Sequence, residues 1–561
     1  AAEIYAAHEI TVYLPPEGAV LSTPEHSFAV RALNADGGLV ISASHNPPDD
    51  NGSKFYHHHG GQLVPPFDEE MGAWVSDAER IERMSLDRAV ANGLVREIPS
   101  SVHDAYIEQN LAVSRTPEHR GTHIVFSPLH GTGDTTVVDV LQSAGFTCTV
   151  EPTQAKHDGT FPTVPFQVPN PEQPATLNAA IETANTVGAT LVMACDPDAD
   201  RLGVGVLHRD KWIALSGNEI AVLVCAAALQ HHPHPEPLVL KTEVTSSLVS
   251  RIAEASGARI IEDLLVGFKY IGEALYLLER KGRFREIDGT VDCFAVGVEE
   301  SHGVLVHADI RDKDAAGGAL LLAELASKAA LEGQTLVDLL DAFFLLHGVV
   351  HNHTTSTVMK GAVGRSQIEA IMASFRDQPP SRIGNRRVLN WFDRQDESGP
   401  FGAIVSETAR SSRNMLVFEL EGDARILLRP SGTEPKAKIY AETTADVASV
   451  DDIPLTRKQT ADACKVLAQD FCTDMLARID ISLPAWAMDI NDIVSIEDKV
   501  HWSQHIVPTL IQKRNIDPLD AKEWLWKQLD SASLSLLRPG VVALVGPWEE
   551  GGDELLACFD P

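Results

Sequence analysis

The sequence predicts an α/β protein of several domains, and three observations carry that reading. Its 561 residues are too many for one hydrophobic core, so about three to five domains are expected. Through the first two-thirds, short Val/Ile/Leu-rich runs alternate with helical stretches, the pattern of α/β layers with parallel strands. Beyond about residue 450 that alternation gives way to helical segments alone.

The strand candidates come in order as GGLVISAS (37–44), THIVFSPLHGTG (122–133), ATLVMACDPDAD (189–200) and PLVLKTEVTSS (237–247). Each ends in a loop of small polar residues. Between them, TTVVDVLQSAG (135–145) and ATLNAAIETANTVG (175–188) read as helices closed by Gly. Pro-rich stretches at 162–174, 231–237 and 376–382 mark loops or boundaries. Further on, 458–479 reads as one amphipathic helix and two more helical stretches follow. The acidic, Gly-rich end GPWEEGGDELLACFDP is expected to be loose.

Composition narrows the function. A net charge of −33 argues against nucleic acid and anionic membrane as partners. No run of 18 or more apolar residues spans a membrane. The seven cysteines are scattered and form no C-x-x-C pair, which makes cytoplasm the simplest compartment.

Four loops carry chemistry. In SASHNPPDDNGSK (42–54), Ser44 directly follows a strand in a turn-rich loop, a place suited to a nucleophile or phosphate carrier. His45 and Lys54 are candidates for proton transfer or charge stabilisation. The neighbouring His57, His58 and His59 read as a solvated loop in preference to a metal site. In DPDADR (196–201), Asp196, Asp198 and Asp200 offer hard oxygen ligands converging on a cation such as Mg²⁺, and Arg201 can hold a phosphate oxygen. The pair Asp196 and Asp198 also resembles an aspartyl-nucleophile phosphatase, although Asp200 stands where that pattern expects Thr or Val. In GVEESHG (297–303), Glu299 and Ser301 share a face and can grip sugar hydroxyls. His302 is a candidate acid or base, and a capping or turn role fits this segment equally well. In RPSGTEPKAKIY (429–440), Arg429, Ser431, Gly432 and Thr433 make a cradle for a dianionic phosphate, followed by a strand with Lys436 and Lys438.

In this order and spacing the loops resemble the α-D-phosphohexomutase superfamily, which includes phosphoglucomutases and phosphomannomutases. NGSKFY, SPLHGTG, DGTFP, NPE and VGFKYIG add supporting matches, and the resemblance runs from residue 1 to about 480. It implies three related mixed α/β domains plus a smaller C-terminal α+β domain around a central cleft, here with an extra helical C-terminal tail. The segments are 1–112 (phosphoserine), 113–215 (metal), 216–350 (sugar), 351–480 (phosphate) and 481–561 (helical extension). It further implies that Ser44 carries the phosphate and, with Asp196, Asp198 and Asp200, holds one Mg²⁺ per chain. Lys54 and His45 would assist. Arg201, Lys269, Glu299, Ser301, Arg429, Ser431, Gly432 and Thr433 would bind substrate. The reaction implied interconverts sugar 1-phosphate and sugar 6-phosphate through a sugar 1,6-bisphosphate. Glucose phosphate is favoured over mannose or pentose phosphate.

Two features depart from the family pattern. None of the 43 residues before Ser44 carries the family's G-T-x-G-x-R-G segment. The expectation is therefore a first domain lacking a β-α unit and a catalytic Arg, by truncation in preference to loss, and a poorly active chain. A catalytically weakened phosphosugar-binding protein is the alternative from another class. His302 also directly follows Ser301, where some members place a His one residue later, which counts against a catalytic role for it; Lys438 is a further candidate site residue.

Overall fold

The four apolar runs form the strands Gly37–Ile41, His123–Ser127, Leu191–Cys195 and Leu238–Thr242 in the computed structural model, which describes residues 1–77, 80–431 and 435–560. The last two are buried along their whole length, which explains runs without polar alternation. The helices Val137–Ser143 and Asn178–Val187 follow as expected. The second is closed by Gly188 at φ 73°, a left-handed turn that suits a residue without a side chain.

The chain divides into two compact units, coarser than the five segments read from sequence. One comprises 1–348 with 405–409 and 448–450; the other comprises 349–404, 410–447 and 451–561.

The first unit contains two sheets of like design. One has the order Thr147–Val150, His123–Ser127, Leu191–Cys195, Leu202–His208, Lys211–Ala214. Its first three strands are parallel and the others return antiparallel. The second sheet runs Arg259–Leu264, Leu238–Thr242, Phe294–Val298, Val304–Leu305, again three parallel strands and an antiparallel return. Nearer the amino terminus, Gly37–Ile41 pairs antiparallel with Ser53–His57, and Val12–Leu14 pairs parallel with Val95–Glu97. The parallel strands match the expectation, whereas the antiparallel returns carry no signal separating them from loops.

These returns place the site. Residues 42–52, 196–201 and 299–303 are each the connection between a strand and its antiparallel neighbour. The histidine run starts at the last residue of Ser53–His57; His58 is exposed, as a solvated loop predicts, and the expectation is corrected at His59. His59 is buried and stacks on Tyr276 at 4.1 Å, because its flat neutral ring packs better than it hydrates.

The second unit has a six-stranded antiparallel sheet ordered Val349–Val358, Lys436–Ala445, Ala424–Pro430, Leu416–Leu420, Arg386–Asp393, Arg382–Ile383. The helices Gly361–Asp377 and Ile453–Ala477 contribute to its core, with Phe375 and Phe471 stacked at 5.1 Å. The tail helices Ile496–His501, Val507–Arg514, Pro518–Gln528 and Ser531–Val545 add Ile496, Leu510, Leu525 and Leu537 to the same apolar core. The end of the chain is not loose as expected. Leu555, Cys558 and Phe559 are buried, and Trp526 Nε1 donates to the Cys558 carbonyl at 3.0 Å. Among the described residues no helix is long and apolar enough to cross a membrane.

Candidate active site

The strand Leu191–Cys195 ends in Asp196, Asp198 and Asp200, and their carboxylates converge. All three are buried, and one oxygen from each lies within 4.8 Å of the others. The backbone folds the loop back on itself, with the Asp200 and Arg201 amides both donating to Asp196 Oδ1 at 3.1 Å. A neighbouring loop props it from outside. The Thr132 amide and hydroxyl donate to the Pro197 carbonyl at 3.0 and 2.9 Å, and Gly131 lies so near that a Cβ there would meet Pro197 Cα at 2.1 Å. The SPLHGTG motif is therefore a support for the acidic loop.

The serine loop enters the same cluster. Ser44 adopts φ 51° and its hydroxyl donates to Asp196 Oδ2 at 2.6 Å. Its amide donates to Ser42 Oγ at 2.9 Å, and Ser42 in turn donates to Asp198. His45 Nδ1 lies 3.3 Å from Ser44 Oγ. Burial, with help from Arg201, holds the His45 ring neutral down to about 4.

Cations surround the carboxylates. Lys54 Nζ reaches Asp198 Oδ2 at 2.7 Å and Asp200 Oδ2 at 3.5 Å, and Lys313 Nζ approaches Asp200 Oδ2 at 3.3 Å. Burial opposes the charge of Lys54, yet Asp200 and Asp198 raise its pKa well above the ordinary value. Burial would likewise raise Asp200, but Lys313, Lys54 and Arg201 hold it below the carboxylate range. Asp196, buried beside Asp200 and Asp198, is pushed up to about 8. Arg201 pairs with Glu172 of the NPE motif.

The loop 299–303 is laced to this centre. The Leu202 amide donates to the His302 carbonyl at 3.0 Å, and His302 Nδ1 lies 3.0 Å from the Leu202 carbonyl. His302 is buried with φ 64°, so its ring is engaged in holding the loop. Glu299 is buried, bonded by Ser301, and its Oε1 lies 3.8 Å from Lys313 Nζ. Lys269 begins the helix Lys269–Lys281 and pairs with Asp68 at 3.1 Å.

The segment 429–440, expected from the sequence to cradle a phosphate, belongs to the second unit. Arg429 and Lys438 face each other in register on adjacent strands, and the Ser431 amide donates to the Lys436 carbonyl at 2.7 Å, closing a hairpin. Gly432 and Thr433 lie outside the described residues.

Three groups carry no assigned role in the sequence reading: Ser42, Lys313 and Glu172. The RDKD run holding Lys313 offers a signal in its charge alternation, but nothing local says that its second cation meets Asp200. Asp196 is poorly disposed to act as a nucleophile. One of its oxygens accepts two backbone amides and the other the Ser44 hydroxyl.

Comparison with known proteins gives the family of the chain. Phosphoglucomutase/phosphomannomutase models match in succession, with α/β/α domain I at residues 1–81, domain II at 104–208, domain III at 216–345 and the C-terminal domain at 395–456. A phosphoglucomutase of Staphylococcus aureus (strain N315) is 32% identical over 446 residues, covering 78% of this chain and 78% of its own. Two solved structures share the fold. A phosphoglucomutase/phosphomannomutase family protein of Burkholderia thailandensis has TM-score 0.54 and 19% identity, covering 80% of this chain and 82% of its own. The open form of pp63/parafusin, a phosphoglucomutase of Paramecium, has TM-score 0.56 and 16% identity, covering 82% and 83%. With 32% identity over 446 residues and all four domain models matched, the chain belongs to the phosphoglucomutase/phosphomannomutase family of the α-D-phosphohexomutase superfamily.

Proposed function

We propose that the chain is a sugar-phosphate mutase that moves a phosphoryl group between the 1- and 6-positions of glucose phosphate through phospho-Ser44. The observation that supports this most is the Ser44 hydroxyl directed onto Asp196, inside a cluster of three buried carboxylates flanked by Lys54, Lys313 and Arg201. Phosphoryl transfer needs positioning and charge neutralisation more than covalent chemistry, and this cluster offers both.

The carboxylates suit a hard divalent cation. They supply only oxygen donors, they are close together, and the buried Asp200 Oδ1 has no hydrogen-bond partner. Asp196, Asp198, Asp200 and a phosphoserine oxygen would hold Mg²⁺, which when bound supplies positive charge to the phosphoryl oxygens.

The remaining roles fall to residues of the chain. Phospho-Ser44 gives its phosphoryl to the free hydroxyl of a sugar monophosphate. The bond from phosphorus to Ser44 Oγ breaks, one to the sugar oxygen forms, and the sugar hydroxyl proton is passed on to Ser44 Oγ. His45 and Lys54 are the groups placed to carry it. The sugar 1,6-bisphosphate then returns its other phosphate to Ser44. Glu299 and Ser301 bind sugar hydroxyls, Arg201 and Lys269 add positive charge, and Arg429, Ser431, Gly432 and Thr433 take the phosphate that is not reacting. Sugar phosphates are thus the partners, and cytoplasm the proposed compartment.

Intact-mass measurement after incubation with glucose 1,6-bisphosphate and Mg²⁺ tests the proposal. A gain of about 80 daltons on the wild type and none on Ser44→Ala is expected. A gain on both proteins, or on neither, overturns the role of Ser44.

A further inference from the structure

The second unit contains a cavity of about 950 Å³ that owes one wall to the helical tail. On one side are His353, Thr355 and Thr357 of the strand Val349–Val358 and Lys465 and Cys472 of the helix Ile453–Ala477. On the other are residues 488–492, Ile496 and Lys499 and the helix Ser531–Val545, which contributes Arg538 and Val542. The volume lies within the range of small-molecule sites, about 300–1,000 Å³.

Its charge runs against that of the molecule. In a chain of net charge −33, the lining holds three cations, Lys465, Lys499 and Arg538, against two carboxylates, Asp489 and Asp492. The carboxylates are already engaged. Asp489 takes Lys465 at 2.5 Å and Gln469 at 3.3 Å, and Asp492 Oδ2 accepts the Ser356 amide at 2.9 Å. Among the described residues, the carboxylate nearest Lys499 is Asp492 at 3.9 Å and that nearest Arg538 is Asp560 at 4.0 Å. Lys499 is nevertheless buried, donating to the Ile490 carbonyl at 2.8 Å, and burial lowers its pKa. A buried ammonium so loosely compensated is costly unless an anion joins it. Met488, Ile490, Ile496 and Val542 supply apolar wall beside it.

We infer that this cavity is a second ligand site, for a small metabolite carrying a phosphate or carboxylate group held by Lys499 and Arg538 and an apolar or ring portion against the tail. It is separate from the serine and aspartate loops, which lie in the other unit. Ser356 and Thr357 on its wall pair with Lys438 and Ala437, at the root of the hairpin that begins at Ser431.

Equilibrium dialysis of the full chain against radiolabelled inorganic phosphate, with and without competing citrate, tests the inference. Arg538→Ala is expected to weaken one class of phosphate site at least tenfold while phosphoryl loading of Ser44 is unchanged, and Lys499→Gln to do the same. Displacement by citrate shows that the site accepts carboxylates, and its failure to displace shows that the site selects phosphate. Arg538 is half exposed, so its variant should fold even where Lys499→Gln does not. An unchanged phosphate isotherm in folded Arg538→Ala overturns the inference.

Discussion

The hydroxyl of Ser44 and the carboxylate of Asp196 meet at 2.6 Å although 152 positions separate them in the chain. Each sits where a strand turns back, and each is fixed by its own loop, Ser44 through Ser42 and Asp196 through the amides of Asp200 and Arg201. Asp196→Asn replaces an acceptor facing that hydroxyl with an uncharged amide. Phosphoryl loading of Ser44 should fall at least about a hundredfold, as when one charge-stabilising group is lost from an active site. Rapid-quench mass measurement reads this directly.

Lys313→Met removes a buried cation facing Asp200 and Glu299 while keeping most of the side-chain volume. Turnover should drop about 10²–10³-fold. A change confined to KM would place Lys313 in substrate binding alone.

Gly131→Ala tests the support beneath the acidic loop. A Cβ there meets Pro197 Cα at 2.1 Å and the Pro197 carbonyl oxygen at 2.7 Å, and both are backbone atoms that cannot swing aside. A loss of about 1–3 kcal/mol in stability is expected, with a fall in activity through displaced carboxylates. Denaturant melts and steady-state kinetics on one preparation check both.

Leu537→Ala tests the tail. Leu537 is fully buried in the core shared with Phe418 and Phe471, so truncation should cost about 2–5 kcal/mol. A loss below about 0.5 kcal/mol in a urea melt would mean that the tail packs only loosely on the sheet.

Acid should weaken the first unit through two histidines. Burial, opposed by Asp312, lowers His26 to about 4. Burial, with His57, His58, Arg311 and Arg31, lowers His59 to about 3. Below 6.5 the unfolded chain takes up protons that the folded chain refuses. Their contribution is therefore complete above 6.5 and is lost as pH falls toward 4. Melting temperature should decline over that window, and less steeply in His26→Phe.

Much of this was legible in the sequence because the chemistry is local. DPDADR places three carboxylates within five residues, and an apolar run before it marks the strand that presents them. Gly188 announced the end of a helix in the same way. Lys313 and Glu172 were not assigned because their partners, Asp200 and Arg201, are brought near only by the fold. The antiparallel returns were missed because Leu202–His208 interrupts its apolar residues with Gly203 and Gly205, which close approach to Pro171 and Val192 demands. The tail's place in the core was hidden because helical periodicity shows an apolar face without saying what covers it.

Hairpin placement gives the serine, aspartate and glutamate loops a common architecture. A strand and its immediate return are anchored to each other by their ladder, so side chains at the tip can be exchanged at constant loop length without moving the register. Such tips are modular parts. Side chains at 299–303 that make no bond to Leu202 or Lys313 are the ones open to exchange while 196–201 keeps its carboxylates. A family of many substrates can thereby descend from one framework by changing its fingertips and leaving the hand alone.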